Sequence, residues 1–162
     1  MLDPFSKAAN CLAIDQPGNR IIAGSHNSYI KFWDFVGMNR EFRAFKTYAP
    51  YKDHHMKAIS FSPDGRLFLS CSGNSAPHIY PRDGGKTRAP LQTGVNGDKY
   101  IRDMHKTRGH TGMLTYGQWH PCDANVFMTS SIDGTVRFWD LNSKLTGIDQ
   151  QLAHTEVIVI KN

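Results

Sequence analysis

The sequence predicts an all-β fold of short antiparallel strands, and three observations support this prediction. The apolar residues, 40% of a chain of 162, come in short runs rather than in long helical or membrane-spanning stretches. Clusters of Pro, Gly, Asp and Asn separate those runs, and strands with turns about every 8–12 residues are typical of antiparallel all-β proteins. Finally, the runs recur as three similar segments, which is the pattern of a repeat protein.

The three segments share one internal order: an apolar run, a turn, a second run, a polar turn, and a third run that ends in an aromatic residue. They occupy residues 9–34, 56–81 and 114–140. The first runs end at Ile14, Phe61 and Trp119, and the third runs end at Trp33, Tyr80 and Trp139. These paired positions are 19, 19 and 20 residues apart. Units of this kind in register predict antiparallel four-stranded blades of a β-propeller.

The third segment carries the most specific motif, because Gly109-His110 precedes it and Phe138-Trp139-Asp140 closes it. In these residues the chain resembles the WD-repeat family. The resemblance implies a hydrogen-bonded tetrad inside the blade, whose members here are His110, Thr129, Asp133 and Trp139. The corresponding positions of the first two segments are degenerate; they are Ala23, Asn27 and Trp33, and then Ser70, Asn74 and Tyr80.

The predicted propeller has about three blades, which is fewer than a closed ring needs. We place the units at approximately 9–46, 56–105 and 110–151, with an insertion at 84–99 and outer strands near 42–46, 101–105 and 148–151. Residues 157–162 are expected to begin a further blade. The seven-bladed ring that the resemblance implies needs about 300 residues. The chain is therefore expected to be part of a longer protein, and the alternative is that two chains close one ring.

Longer blocks of sequence resemble the gastrulation-defective type of WD-repeat protein. They include residues 31–38, 97–104, 109–114 and 127–139. This resemblance implies a non-enzymatic scaffold that binds other proteins, is nuclear, and takes part in chromatin, DNA-damage or cullin-4 ubiquitin-ligase assemblies. Adaptor-binding repeats of the family carry Arg two residues after Trp-Asp, where this chain has Val36 and Asn142, so the docking motif is not visible here.

Composition leaves two other function classes open. The net charge is +5, but the cations are dispersed along the sequence, which favours a solvated surface over the dense basic stripe of a nucleic-acid groove. The positive net charge nevertheless keeps RNA or DNA binding, within an RNA-processing complex, as the alternative function. A metal-dependent hydrolase using Asp53, His54 and His55 is a weaker hypothesis, since further metal-binding carboxylates are not evident. We expect no cofactor, no metal and no small-molecule substrate.

Two further features favour an intracellular protein. The three cysteines, Cys11, Cys71 and Cys122, are odd in number and widely spaced, so they predict buried thiols rather than a disulfide framework. The first residues lack the basic and apolar regions of a secretory signal, and no apolar stretch approaches the roughly 20 residues of a membrane span.

Partner binding in a propeller is expected at the loops that gather on one face of the ring. The candidate partner-binding residues in those loops are Tyr51, His54, Lys106 and Arg108. Tyr and Arg are favoured anchors at protein interfaces, and the alternative is that these are ordinary exposed loop residues.

Overall fold

The computed structural model describes residues 7–38, 40–49, 54–85, 89–144 and 151–160, and its regular structure in these ranges is entirely β. The strands are β1 Ala9–Ile14, β2 Arg20–Ser25, β3 Ile30–Asp34, β4 Lys46–Tyr48, β5 Met56–Phe61, β6 Leu67–Ser72, β7 His78–Pro81, β8 Gln92–Gly94, β9 Leu114–Trp119, β10 Val126–Ser131, β11 Thr135–Lys144 and β12 Gln151–Val159. The predicted all-β class is confirmed. Within the described ranges, no helix is long and apolar enough to cross a membrane.

The strands group into three antiparallel four-stranded units, which are blades of a partial propeller. The first is a separate sheet in the order β1-β2-β3-β4. The second and third are β5-β6-β7-β8 and β9-β10-β11-β12, and their outer strands β8 and β12 pair in parallel at Gln151↔Thr93 and Leu152↔Gly94. The inner strands β1, β5 and β9 lie side by side, as the inner strands of neighbouring blades do.

The outer strands differ from the positions that the sequence predicted. The first lies at Lys46–Tyr48, the second at Gln92–Gly94 inside the stretch expected to be an insertion, and the third at Gln151–Val159. Residues 148–150 of the predicted third strand and residues 161–162 of the expected further blade lie outside the described residues. Residues 157–159 pair with β11, with Ile158 opposite Val136, so they complete the third blade instead of beginning another. The prediction failed because short outer strands such as Gln-Thr-Gly pair through their backbone and carry no apolar pattern.

Two apolar clusters fill the spaces between blades. One lies between the first and second blades and contains Ile22, Ile30, Phe32, Met56, Ile59, Phe68 and Tyr80. The other lies between the second and third blades and contains Ala58, Leu69, Cys71, Ile79, Leu114, Trp119, Phe127, Trp139 and Leu152. The packing depends on glycine, since a Cβ at Gly117 would lie 2.4 Å from the Cys71 sulfur. Burial also raises the pKa of the Cys71 thiol, so this sulfur serves as a core atom.

The strand directions sort the connections onto two faces. Loops 26–29, 73–77, 95–113 and 132–134 lie at the ends where the inner strands begin, and we call this the loop face. The opposite ends carry the turns 15–19, 62–66 and 120–125 and the described residues of two connections, 35–38 with 40–45 and 82–85 with 89–91; we call this the turn face. Three of the partner-binding candidates predicted from the sequence, His54, Lys106 and Arg108, belong to the loop face, and the fourth, Tyr51, lies outside the described residues.

Candidate partner-binding face

The structure brings the four predicted tetrad residues of the third blade together. His110 Nε2 lies 2.8 Å from Thr129 Oγ1, and His110 Nδ1 lies 3.1 Å from Asp133 Oδ2. The indole N–H of Trp139 donates to the same Thr129 oxygen at 2.8 Å. The chain of bonds therefore runs from the core indole, through a hydroxyl and an imidazole, to a carboxylate on the loop face.

Asp133 fixes the loop around the tetrad as well as the imidazole. Its carboxylate accepts from the backbone N–H of Thr111 at 2.9 Å and from that of Thr135 at 3.0 Å. Burial alone would raise the pKa of Asp133, but the bonds from His110, Thr135 and Thr111 outweigh it and hold the pKa well below its usual range. The carboxylate is thus ionised at neutral pH and pins the start of β9 to the β10–β11 turn.

The first two blades have other residues and contacts at the tetrad positions. Ala23 is buried at the position of Thr129, and the Trp33 indole N–H donates instead to the Phe42 carbonyl at 3.1 Å. In the second blade Ser70 and Tyr80 are buried, and the Tyr80 ring stacks on Phe68 with centroids 5.3 Å apart. The turn residues at the aspartate position, Asn27 and Asn74, lie on the loop face.

The third strand of each blade contains a buried basic residue, two positions before the aromatic residue that closes the repeat. These residues are Lys31, His78 and Arg137. His78 lies opposite Ser70 and its Nδ1 is 3.3 Å from the Thr93 hydroxyl. Burial, and to a lesser degree the charge of His54, lower the pKa of His78 to about 4. This position was not predicted from the sequence, although its spacing from the closing aromatic residue is constant.

Arg137 makes several hydrogen bonds from its buried position. Its Nη1 donates to the Thr107 carbonyl at 2.9 Å, and its Nη2 donates to the Met104 carbonyl at 2.9 Å and to the Thr107 hydroxyl. The whole residue has no exposed surface. One guanidinium therefore ties β11 to residues 104–107 of the long loop that joins the second and third blades.

The loops of the three blades are bonded to one another across the loop face. The Ser28 hydroxyl donates to the His54 carbonyl at 2.6 Å, which joins the first blade to the second. The Ser75 hydroxyl donates to Asn96 Oδ1 at 2.6 Å, and the Leu114 N–H donates to the Asn74 carbonyl at 2.9 Å, which joins the second blade to the third. The loop face is therefore one continuous surface.

The predicted partner-binding candidates have different surroundings on this face. Lys106 is exposed, and its ammonium lies 3.6 Å from Asp103. The Arg108 side chain is exposed, while its carbonyl accepts from His154 Nδ1 at 2.7 Å. His54 is half-buried in the contact with Ser28. Tyr51 lies outside the described residues, as does Asp53. The role of all four in partner binding stays a prediction.

Histidines also meet at the joint between the first and second blades. The rings of His26 and His55 stack with centroids 3.5 Å apart, and His55 Nδ1 donates to the His26 carbonyl. Slight desolvation and the neighbouring charges of His55, Lys7 and Lys57 lower the pKa of His26. Among the described residues, no three His, Cys, Asp or Glu side chains form a group that could hold a metal ion.

The turn face carries a groove of about 310 Å³ at the ends of the inner strands. Its lining includes Ile14, Phe61 and Trp119, which are the residues that end the first apolar run in each repeat. The groove is a product of the repeat geometry. It collects apolar and uncharged polar side chains and lacks a charged cluster among the residues that line it.

Comparison with known proteins identifies the class to which this fold and its tetrad belong. The family model of the WD domain, G-beta repeat, matches residues 4–34, 45–79 and 101–140. The chain belongs to the WD-repeat family. Proteins of this family generally mediate protein–protein interactions.

Particular relatives within the family cover most of the chain. It is 40% identical to WD repeat-containing protein 70 of Xenopus laevis over 139 residues, which is 86% of this chain and 22% of the relative. It is 38% identical to the human protein of that name over 138 residues, 85% of this chain and 20% of the relative. It is 38% identical over 140 residues to the gastrulation defective protein 1 homolog of Drosophila melanogaster, 86% of this chain and 21% of that protein. The chain thus spans about a fifth of the length of these relatives.

Proposed function

We propose that this chain is part of a nuclear, non-enzymatic WD-repeat scaffold whose loop face docks other proteins. The observation that carries the proposal is the continuity of the loop face. Hydrogen bonds from Ser28 to His54 and from Ser75 to Asn96 join the loops of three blades into one surface. A rigid surface of this kind binds with little loss of conformational freedom.

The setting of this scaffold is also a proposal. Its similarity to WD repeat-containing protein 70 and to the gastrulation-defective homolog supports a role in chromatin, DNA-damage or ubiquitin-ligase assemblies. The positions two residues after the Trp-Asp pairs hold Val36 and Asn142. We therefore assign to these blades the recruitment of a target protein and not the docking of a ligase adaptor.

Cross-linking of the loop face in cells tests the proposal. Proteins cross-linked to the wild-type chain are quantified by mass spectrometry and compared with those of a variant in which Tyr51, His54, Lys106 and Arg108 are replaced by Ala. A control variant replaces Arg43 and Arg66, which are exposed cations on the turn face. We expect the same partners to be lost with the first variant and retained with the second. Equal retention by both folded variants would overturn the docking face.

A further inference from the structure

We propose that residues 99–108, here named the basic loop, bind single-stranded nucleic acid, with Tyr100 stacking on a base and Lys99, Arg102 and Arg108 contacting phosphates. This activity goes beyond protein docking. Arg108 is shared with the residues chosen to test the docking face, whereas Lys99, Tyr100 and Arg102 are not. The basic loop connects the second blade to the third on the loop face. It contains four Lys or Arg and one Asp.

Four of the five arginines described on the turn face are paired with carboxylates, Arg40 being the exception, whereas most cations of the basic loop are not. On the turn face Arg20 lies 2.8 Å from Asp34, Arg82 contacts Asp15, and Arg43 lies 2.9 Å from Glu41. In the basic loop, and within the described part of the chain, only Lys106 forms an ion pair with a carboxylate. Lys99, Arg102 and Arg108 are exposed. Their charges therefore project a positive potential from one face, which attracts a polyanion.

Tyr100 supplies the second requirement of a nucleic-acid surface, an accessible aromatic ring. It is 95% exposed, although a tyrosine ring on a folded protein usually gains stability by packing. Its immediate neighbours include Lys99 and, two residues later, Arg102. An aromatic ring set between cations is the arrangement by which proteins bind single strands, since every base offers a flat face to stack upon.

Hydrogen bonds anchor the backbone of the basic loop at several points. The Asp98 side chain accepts from the Tyr100 N–H at 2.9 Å, and the Asp103 side chain accepts from the His105 N–H at 3.1 Å. Arg137 reaches from the core to the carbonyls of Met104 and Thr107. Because these bonds already order the backbone, binding of a ligand loses less conformational entropy there.

These observations favour a single strand over an acidic peptide. An acidic peptide satisfies the cations but leaves the Tyr100 ring in water, whereas a single strand presents phosphates and bases in alternation. RNA and DNA share this chemistry. A test therefore includes an oligouridine and an oligothymidine of equal length to determine which strand is preferred.

Fluorescence anisotropy of the purified protein with labelled strands of about 15 nucleotides tests the proposal. We expect Tyr100→Ala to weaken binding about tenfold through lost stacking, while Tyr100→Phe keeps it within about twofold. Arg102→Ala is expected to weaken binding and to lower its salt sensitivity. The matched control is Arg66→Ala, an exposed arginine on the turn face, which should bind as the wild type does.

Salt dependence and a competing polyanion complete the test. With three or four phosphate contacts, the affinity should fall about 20- to 50-fold between roughly 50 and 200 mM salt. An unlabelled polyglutamate peptide should compete poorly. Binding that polyglutamate displaces as well as an unlabelled strand does, with Tyr100→Ala unaffected, would overturn the proposal in favour of an acidic peptide. Absence of strand binding by the folded wild type at about 50 mM salt would overturn it as well.

Discussion

At the scale of single residues, the hydroxyl of Thr129 connects two other tetrad residues of the third blade. It accepts the indole N–H of Trp139 and lies 2.8 Å from His110 Nε2, so one oxygen links the core to the loop face. All three residues are buried, which keeps water from replacing a lost partner. A buried donor without a partner costs more than the hydrogen bond itself contributes.

Replacement of this hydroxyl by a methyl group should therefore destabilise the protein. We expect Thr129→Val to lower the free energy of unfolding by about 1–3 kcal/mol, because Trp139 and His110 lose a common partner. Urea denaturation measures the change. Thr115→Val is the matched control, since Thr115 is exposed on the adjacent strand, and its effect should stay within about 0.5 kcal/mol. Equal effects of the two substitutions would contradict a structural role for the tetrad.

Arg137 acts at the same scale through backbone acceptors. Its replacement by Met keeps an unbranched side chain of similar length but removes the guanidinium donor from the Thr107 carbonyl and leaves the Met104 carbonyl with the Thr107 hydroxyl. We expect Arg137→Met to lower the free energy of unfolding by about 1–3 kcal/mol. Hydrogen exchange should increase most at the amides of residues 104–108. A uniform increase over all three blades would argue against a local anchor.

Among the structural elements, the long connection 95–113 between the second and third blades depends most on close backbone packing. Its two ends cross closely, since the Gly97 N–H donates to the His110 carbonyl at 2.8 Å. A Cβ at Gly109 would lie 1.8 Å from the Val95 carbonyl oxygen, which is backbone and cannot rotate away. The crossing therefore requires glycine for space.

Substitution of Gly109 should disturb this crossing. We expect Gly109→Ala to destabilise the protein by about 1–3 kcal/mol, because the backbone must shift to admit the methyl group. The control is Gly73→Ala on the same face, where the nearest atom to a Cβ is 3.8 Å away. Thermal unfolding of both variants gives the comparison. A neutral Gly109→Ala would show that the two ends of the connection are less closely packed than described.

The sequence predicted some elements well because their residues carry a pattern. The first three strands of each unit have apolar runs at constant spacing, and the Gly-His and Trp-Asp pairs mark the tetrad positions. The outer strand β8 has no such pattern. Gln92 and Thr93 pair with β7 through their backbone, which does not require apolar side chains. The anchoring of the basic loop by Arg137 was equally invisible, since its partners are carbonyl groups that any residue possesses.

At the scale of the whole molecule, stability should depend on pH through buried histidine. The folded protein lowers the pKa of His78 from 6.5 to about 4 by burial, with a contribution from His54. An unfolded chain takes up this proton as the pH falls below about 6.5, but the folded protein does so only near 4. The contribution of neutral His78 to the free energy of unfolding is therefore complete above about pH 6.5 and is lost as the pH falls from 6.5 to about 4. The pKa of His154 is also lowered, mainly by burial, and acts in the same direction.

Denaturation at a series of pH values tests this expectation. The loss from His78 between about pH 6.5 and 4 should amount to roughly 3 kcal/mol. His78→Gln should flatten the curve in this range, whereas His105→Gln, at an exposed position of the basic loop, should leave its shape unchanged. Parallel curves for wild type and His78→Gln would mean that His78 titrates normally in the folded protein.

The packing of Trp139 has an optical consequence. The chain has three tryptophans, and the buried positions 33, 119 and 139 place them in the first and third blades, while the second blade stacks Phe68 on Tyr80. Intrinsic emission should therefore report directly on the first and third blades, and on the second blade through the apolar cluster that it shares with Trp119 and Trp139. The ring centre of Trp139 lies 6.2 Å from those of both His110 and His154. Protonated imidazole quenches indole emission, so dimming in acid before unfolding would mark the moment when a proton enters this part of the third blade.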